Sequence, residues 1–189
     1  MDATDPELMS RLAAGDDLAL NTLMTRWSGR VVGLIYRMTG QRETAVDLAQ
    51  ETFVKLYQAR MRYRPQGAFS TYLFAIAVNL ARNHARWQAR HPTVSLDATG
   101  PDGTEILPEP ADPRQSPAET ALSQEKFRAV NQAILALPLE LREALTLFIH
   151  EGMSYAEIAE LSRCSPKAVE TRIYRARQIL KDQLKDLRS

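Results

Sequence analysis

The chain has 189 residues, 44% of them apolar and 25% charged, which holds one medium domain or two small ones and excludes global disorder. The single cysteine, Cys164, excludes an internal disulfide and any multi-cysteine zinc site, and no run of about 18 apolar residues offers a transmembrane span. The net charge of +1 conceals a basic–acidic–basic order along the chain, and eight glycines are few for an all-β protein. The start, Met1-Asp2-Ala3-Thr4-Asp5, is acidic and has no apolar run, so no secretory signal is expected and the cytoplasm is the expected compartment.

Asp5-Pro6 puts a cap ahead of a proline at the first helical position, and Gly15 ends a short first helix. Asp16 or Asp17 caps a second helix. Its apolar positions Leu20, Leu23, Met24, Trp27, Val31, Leu34, Ile35 and Met38 keep helical spacing, and Gly40 closes it. A third helix is predicted from about Glu43 to Arg60, with Val46, Leu48, Ala49, Phe53, Leu56 and Tyr57 on its apolar side. Pro65-Gln66-Gly67 is a break. A fourth helix follows from about Phe69 to Ala89, with Phe69, Leu73, Ile76, Ala77 and Leu80 inward. Residues 1–90 are thus expected to form one small helical bundle.

No acidic residue occurs from Thr52 to Leu96, where Lys55, Arg60, Arg62, Arg64, Arg82, Arg86 and Arg90 give +7. These cations interleave with Tyr57, Tyr63, Phe69, Tyr72, Phe74 and Trp87. Positive charge tracks a nucleic-acid backbone and rings stack on unpaired bases, so opened DNA or a single strand is a candidate ligand. The competing reading is that some arginines only solvate helix faces and that Phe69 and Phe74 are core. Tyr63, beside Arg62, Arg64 and the Pro65 break, is the candidate exposed ring. Glu43, Asp47 and Glu51 stand four apart and line one helix face, where their repulsion calls for a partner surface. They are too few for a metal site.

Residues 91–117 hold five of the ten prolines between 101 and 117, and the stretch Asp97 to Glu125 sums to −6. This reads as an acidic, Pro-rich linker. Helices resume with the capping box Ser116-Pro117-Ala118-Glu119, followed by Leu122, Phe127, Val130, Ile134 and Leu137 at helical spacing. Another helix runs from about Leu139 to His150. Ser154-Tyr155-Ala156-Glu157 starts a short helix, Arg163-Cys164 turns, and Ser165-Pro166 starts a last helix to about Leu187.

Residues 154–180 have the short helix, tight turn and longer helix of a helix-turn-helix. Val169, Ile173, Ala176 and Leu180 make one stripe that packs on Ile158, Ala159 and Leu161, leaving Lys167, Thr171, Arg172, Tyr174, Arg175 and Arg177 largely outside it. Arg163 to Arg188 sums to +5. Such a face suits a major groove, where arginine is bidentate to guanine or phosphate. The three histidines, His84, His91 and His150, show no catalytic or zinc spacing, so no catalytic residue, metal or cofactor is expected. Cys164 is expected to pack as a small apolar residue.

Three segments resemble the sigma factors of bacterial RNA polymerase. Asp47-Leu48-Ala49-Gln50-Glu51-Thr52-Phe53-Val54-Lys55-Leu56-Tyr57 is similar to their core-binding helix, and Phe69-Ser70-Thr71-Tyr72-Leu73-Phe74-Ala75-Ile76-Ala77-Val78-Asn79 to the adjoining melting and −10 segment. Leu137-Pro138, Leu141-Arg142 and the run from Ser154 to Arg177 resemble their helix-turn-helix domain. The resemblance covers roughly residues 10–90 and 118–183. Two such domains with a short linker and nothing else resemble the extracytoplasmic-function (ECF) type.

The resemblance implies an all-α protein of two small helical domains, a region 2-like bundle at 1–90 and a region 4-like helix-turn-helix domain at 118–189. It implies binding to core RNA polymerase, at the β′ clamp and β flap, and to promoter DNA. Asp47, Gln50, Glu51 and Phe53 match the docking motif. Tyr63, Arg64 and Asn79 match positions near a pocket for a flipped −10 base, with Tyr72, Arg82 and Asn83 beside them. Lys167, Thr171, Arg172, Tyr174 and Arg175 fall on the helix that reads the −35 element. An anti-sigma factor is an expected partner, and the acidic linker is expected to thread the polymerase. Two positions depart from the family: Tyr72 stands where Trp is frequent, and Glu170 where a basic or neutral residue favours DNA. The Glu170 carboxylate either accepts from cytosine N4 or turns aside. The alternative is a helix-turn-helix regulator that binds DNA without polymerase core. It has no need of the Asp47–Tyr57 and Phe69–Asn79 segments.

Overall fold

A computed structural model describes residues 3–65, 67–91 and 117–185. Apart from His91 and Pro117, the expected linker lies outside the described residues, as do the Ser116 cap and the last residues expected in the final helix. The described residues are helical, with no strand among them. The chain divides into two compact units, Met1–Pro92 and Thr93–Ser189.

The first unit holds α1 (Asp5–Ala13), α2 (Leu18–Thr39), α3 (Arg42–Ala59) and α4 (Phe69–Arg90). Thr4 rather than Asp5 caps α1: Thr4 and Glu7 form a capping box, with the Thr4 N–H donating to Glu7 Oε2 at 2.7 Å. The Asp5 carboxylate is instead paired with Arg26 of α2, so it ties α1 to its neighbour. Asp16 serves the start of α2, accepting from the Leu18 N–H at 3.1 Å, while Asp17 has helical angles and no side-chain cap. Gly40 closes α2 at φ 74°, a left-handed conformation that a side chain disfavours.

Leu23, Trp27, Val31, Leu34, Ile35 and Met38 of α2 are buried against the other three helices, while Leu20 and Met24 are only half-buried. On α3 the inward row is Ala45, Ala49, Thr52, Phe53 and Leu56. Val46 is 38% exposed, not on the core side as expected. The core row passes one residue to its N-terminal side, through Ala45. The buried Thr52 hydroxyl donates to the Leu48 carbonyl at 2.7 Å, which removes the penalty of an unpaired polar group. Both Phe69 and Phe74 of α4 are core, with Leu73, Ala77 and Val78 between them and beyond, and Ile76 lies at the edge.

The second unit holds α5 (Pro117–Ala136), α6 (Leu139–Ile149), α7 (Tyr155–Ser162) and α8 (Pro166–Gln183). Arg142 donates to the carbonyls of Leu135 and Leu137, closing the end of α5, and burial lowers its pKa from the ordinary guanidinium value. Glu143 is 2% exposed and accepts from Ser162 Oγ at 2.7 Å, joining α6 to α7. Ser154 and Glu157 cap α7 reciprocally. Arg163 ends it at φ 52°, and Ser165 accepts from the Ala168 N–H at 3.1 Å to start α8. Val169, Ile173 and Ala176 pack inward against α6 and α7, with Leu180 half-buried below them.

Candidate nucleic-acid interface

Asp47, Gln50 and Glu51 are exposed together on α3, since residues three and four apart share a helix face. Lys55 pairs with Glu51 at 3.3 Å and offsets part of the carboxylate repulsion. Phe53 differs from these three. It is 3% exposed, so its ring anchors α3 to the bundle and is not presented to a partner. Two apolar residues instead flank the exposed set, Val46 and Val54, the latter 53% exposed. Their spacing with Gln50, at i and i+8 around i+4, is the signal that sequence reasoning passed over.

Tyr63, between α3 and α4, lies against Tyr72 of α4 with ring centroids 5.1 Å apart. Tyr63 also meets Phe69 edge-on at 6.2 Å. Phe69 in turn meets Trp27 at 5.7 Å, and Trp27 meets Phe74 at 5.9 Å. The Arg30 guanidinium sits over both Trp27 and Phe74, at 4.8 and 5.3 Å. Burial raises the Tyr63 phenol pKa above its ordinary value, with the Asp5 carboxylate and Tyr72 adding to it, and burial alone raises that of Tyr72. Both hydroxyls therefore stay protonated and able to donate at neutral pH.

Arg64 is exposed but folded onto its own loop, donating to the carbonyls of Tyr63 at 3.0 Å and Met61 at 3.4 Å. Asn79 lies two turns beyond Tyr72 on α4, and its carbonyl accepts from Arg82 at 3.4 Å. Asn83, one turn further, is exposed. The surface continues past these residues. Trp87 is 50% exposed and stacks with His84 at 6.4 Å and His91 at 5.1 Å. Arg86 and Arg90 are exposed beside it, and Arg90 Nε donates to the Arg86 carbonyl at 3.2 Å. The acid-free stretch contained all three, but nothing in their spacing set them apart as a site.

On α8 the exposed face carries Lys167, Glu170, Tyr174 and Arg175, with Tyr174 63% exposed and Thr171 half-buried. Lys167, Glu170, Thr171 and Tyr174 line a shallow groove with Tyr155 and Arg177. The Arg177 guanidinium also rests over Phe148 at 5.5 Å. Lys167 and Glu170 form an ion pair at 2.8 Å. Arg172 points elsewhere: it donates to Glu140 of α6 at 2.8 Å and lies 3.6 Å from Cys164 Sγ. Its side chain is 23% exposed, so a contact with DNA requires it to leave Glu140. Cys164 is half-buried beneath it.

Among the described residues no three His, Cys, Asp or Glu side chains gather as a metal site, and no helix is long and apolar enough to cross a membrane. The Sigma-70 region 2 family model matches residues 23–91, and the Sigma-70 region 4 model matches residues 127–180. The RNA polymerase sigma-H factor of Pseudomonas aeruginosa is 37% identical over 188 residues, covering 97% of this chain and 95% of that protein. The ECF RNA polymerase sigma-E factor of Escherichia coli is 36% identical over 188 residues, with 97% and 96% covered. A solved structure of CnrH in complex with the cytosolic domain of CnrY superposes with a TM-score of 0.67 and 26% identity, over 96% of this chain and 97% of that one. A regulator acting without polymerase core is not favoured, because the region 2 match occupies the half of the chain that such a regulator does not need. The chain therefore belongs to the sigma-70 family, in its ECF type, whose members bind core RNA polymerase and direct transcription initiation at promoter DNA.

Proposed function

We propose that three surfaces divide the work of initiation. The α3 face of Asp47, Gln50 and Glu51, with Val46 and Val54, docks on the polymerase β′ clamp. Its charges set orientation, and its two valines supply apolar contact. The Tyr63–Tyr72 rings with Asn79, Arg82 and Asn83 take the −10 element. An unpaired base needs a ring to stack on and donors for its edge, and this face carries both. The α8 face reads the −35 element, with Tyr174 and Arg175 most open to a groove.

The observation that carries the reading is the Tyr63–Tyr72 pair at 5.1 Å on the same face of α4 as Asn79, inside a stretch without a single acidic residue. The polymerase performs the bond chemistry, and the chain acts with it in the cytoplasm. An anti-sigma protein is a fitting partner, and CnrH is known bound to a domain of CnrY. The test is run-off transcription on fragmented source DNA, using core polymerase with and without the chain. Discrete new transcripts with shared upstream elements are expected. Stable binding to core without any transcript on any fragment would count against the promoter surfaces, and loss of both would count against α3 as well.

A further inference from the structure

We propose that Lys167 and Glu170 together read one G·C base pair of the −35 element, lysine on the guanine and glutamate on the cytosine. This rests on α8 as the −35 helix. The two residues occupy the first turns of α8, just after the Ser165 cap. Their side chains are 79% and 50% exposed, and Lys167 Nζ lies 2.8 Å from Glu170 Oε2. They share the groove that Thr171 and Tyr174 line. An exposed i,i+3 pair adds little to stability. The helix is already fixed by its cap and by buried Val169, Ile173 and Ala176, so the pair has no necessary task in the fold.

A lone carboxylate on this face would be repelled by phosphates. Beside the ammonium that repulsion is largely cancelled, and a donor and an acceptor remain next to each other. A G·C pair offers the complementary arrangement in the major groove: guanine O6 accepts beside the cytosine N4 amine, which donates, and guanine N7 is a second acceptor outside O6. The ammonium has three N–H donors and can span O6 and N7, while the carboxylate accepts from N4. O6 and N4 are hydrogen-bonded to each other across the base pair, so they stand at about 2.9 Å. That is the spacing of the Lys167–Glu170 pair. A T·A pair also sets an acceptor beside a donor, but the thymine methyl stands where guanine has N7. In the reversed pairs, C·G and A·T, donor meets ammonium and acceptor meets carboxylate.

The experiment uses the full chain with core polymerase on promoters whose −35 element is randomised, with transcript yield read for every sequence. The unsubstituted chain is expected to prefer G·C over the other three pairs at one position by roughly tenfold. K167A and E170A should each flatten that position and no other, and the double substitution should flatten it no further than the stronger single one. R175A serves as the control for α8. If R175A alters the −35 profile while E170A leaves every position unchanged and only raises the yield, Glu170 is a repelling charge and the proposal is overturned. A T·A preference at the position overturns the assignment of the base pair. If neither E170A nor R175A alters the profile, α8 is not the −35 reader and the proposal falls with that reading.

Discussion

Phe53→Ala separates a buried anchor from a docking residue. The ring is 3% exposed among the helices of the first unit. A buried aromatic side chain removes about 150–250 Å² from water, and a phenyl ring lies at the lower end. At about 25 cal/mol per Å² this amounts to about 4 kcal/mol, in line with the ~3–5 kcal/mol found for such truncations. A small domain holds only about 5–15 kcal/mol in total, so the first unit should unfold at markedly lower urea. The chain has two tryptophans, Trp27 and Trp87, both in the first unit, so their fluorescence follows that unit alone. Asp47→Ala, at an exposed position, should move the same transition by less than about 0.5 kcal/mol while weakening core binding. Should Phe53→Ala shift the transition by less than about 1 kcal/mol and still abolish core binding, the ring faces the polymerase and the burial argument is wrong.

Three further outcomes are expected. Arg175→Ala should weaken promoter binding by about 1–3 kcal/mol if the guanidinium makes a bidentate base contact, and unchanged affinity with a shallower salt dependence would make it a phosphate contact instead. Asn79→Ala should impair DNA opening, followed by permanganate reactivity, more than closed-complex affinity, and equal loss of both would remove it from the base pocket. Glu7 is held below its ordinary carboxylate value by the Thr4 N–H and then by the Thr4 hydroxyl. Because the folded value is depressed, the stabilisation of α1 is present above the unfolded value of 4.5 and is lost as pH falls through the folded one. Protection of the α1 amides relative to intrinsic exchange should therefore fall as pH drops below 4.5, an effect that Glu7→Gln should abolish; relative protection unaltered while Glu7 becomes protonated would refute the capping account.

Periodicity and punctuation made most of the fold legible. Trp27, Val31, Leu34 and Ile35 recur at helical spacing and are buried, Gly40 ends α2, and Ser154 and Ser165 cap α7 and α8. Helix starts were less legible where several capping residues adjoin. Thr4 and Asp5 both suit an N-cap, and the choice was made by Arg26, which lies 21 residues away and claims the Asp5 carboxylate. The same limit applies to the surfaces. The resemblance alone marked Asn79 and counted Phe53 with the docking residues, although helical spacing put Phe53 on the apolar side of α3, where it is buried. Composition and spacing marked Asp47, Tyr63 and Arg175, but not that Val46 turns outward. Nor could they foresee that Glu140, 32 residues before Arg172, draws that guanidinium onto α6. Side-chain partners remote in sequence carry no local signal.

The run of rings from Tyr63 through Phe69 and Trp27 to Phe74, closed by the Arg30 cation, has a kinetic consequence. Immobilising a loose side chain on binding costs about 0.5–1.5 kcal/mol. Tyr63 and Tyr72 already have neighbours that limit their rotamers, so a base captured there as proposed would meet a surface ordered when the protein folded. With the proposed −10 role of this face, promoter opening would depend on core residues that never touch DNA. Loosening Trp27 without unfolding the bundle would be felt as slower strand separation, with the first encounter between holoenzyme and duplex left intact.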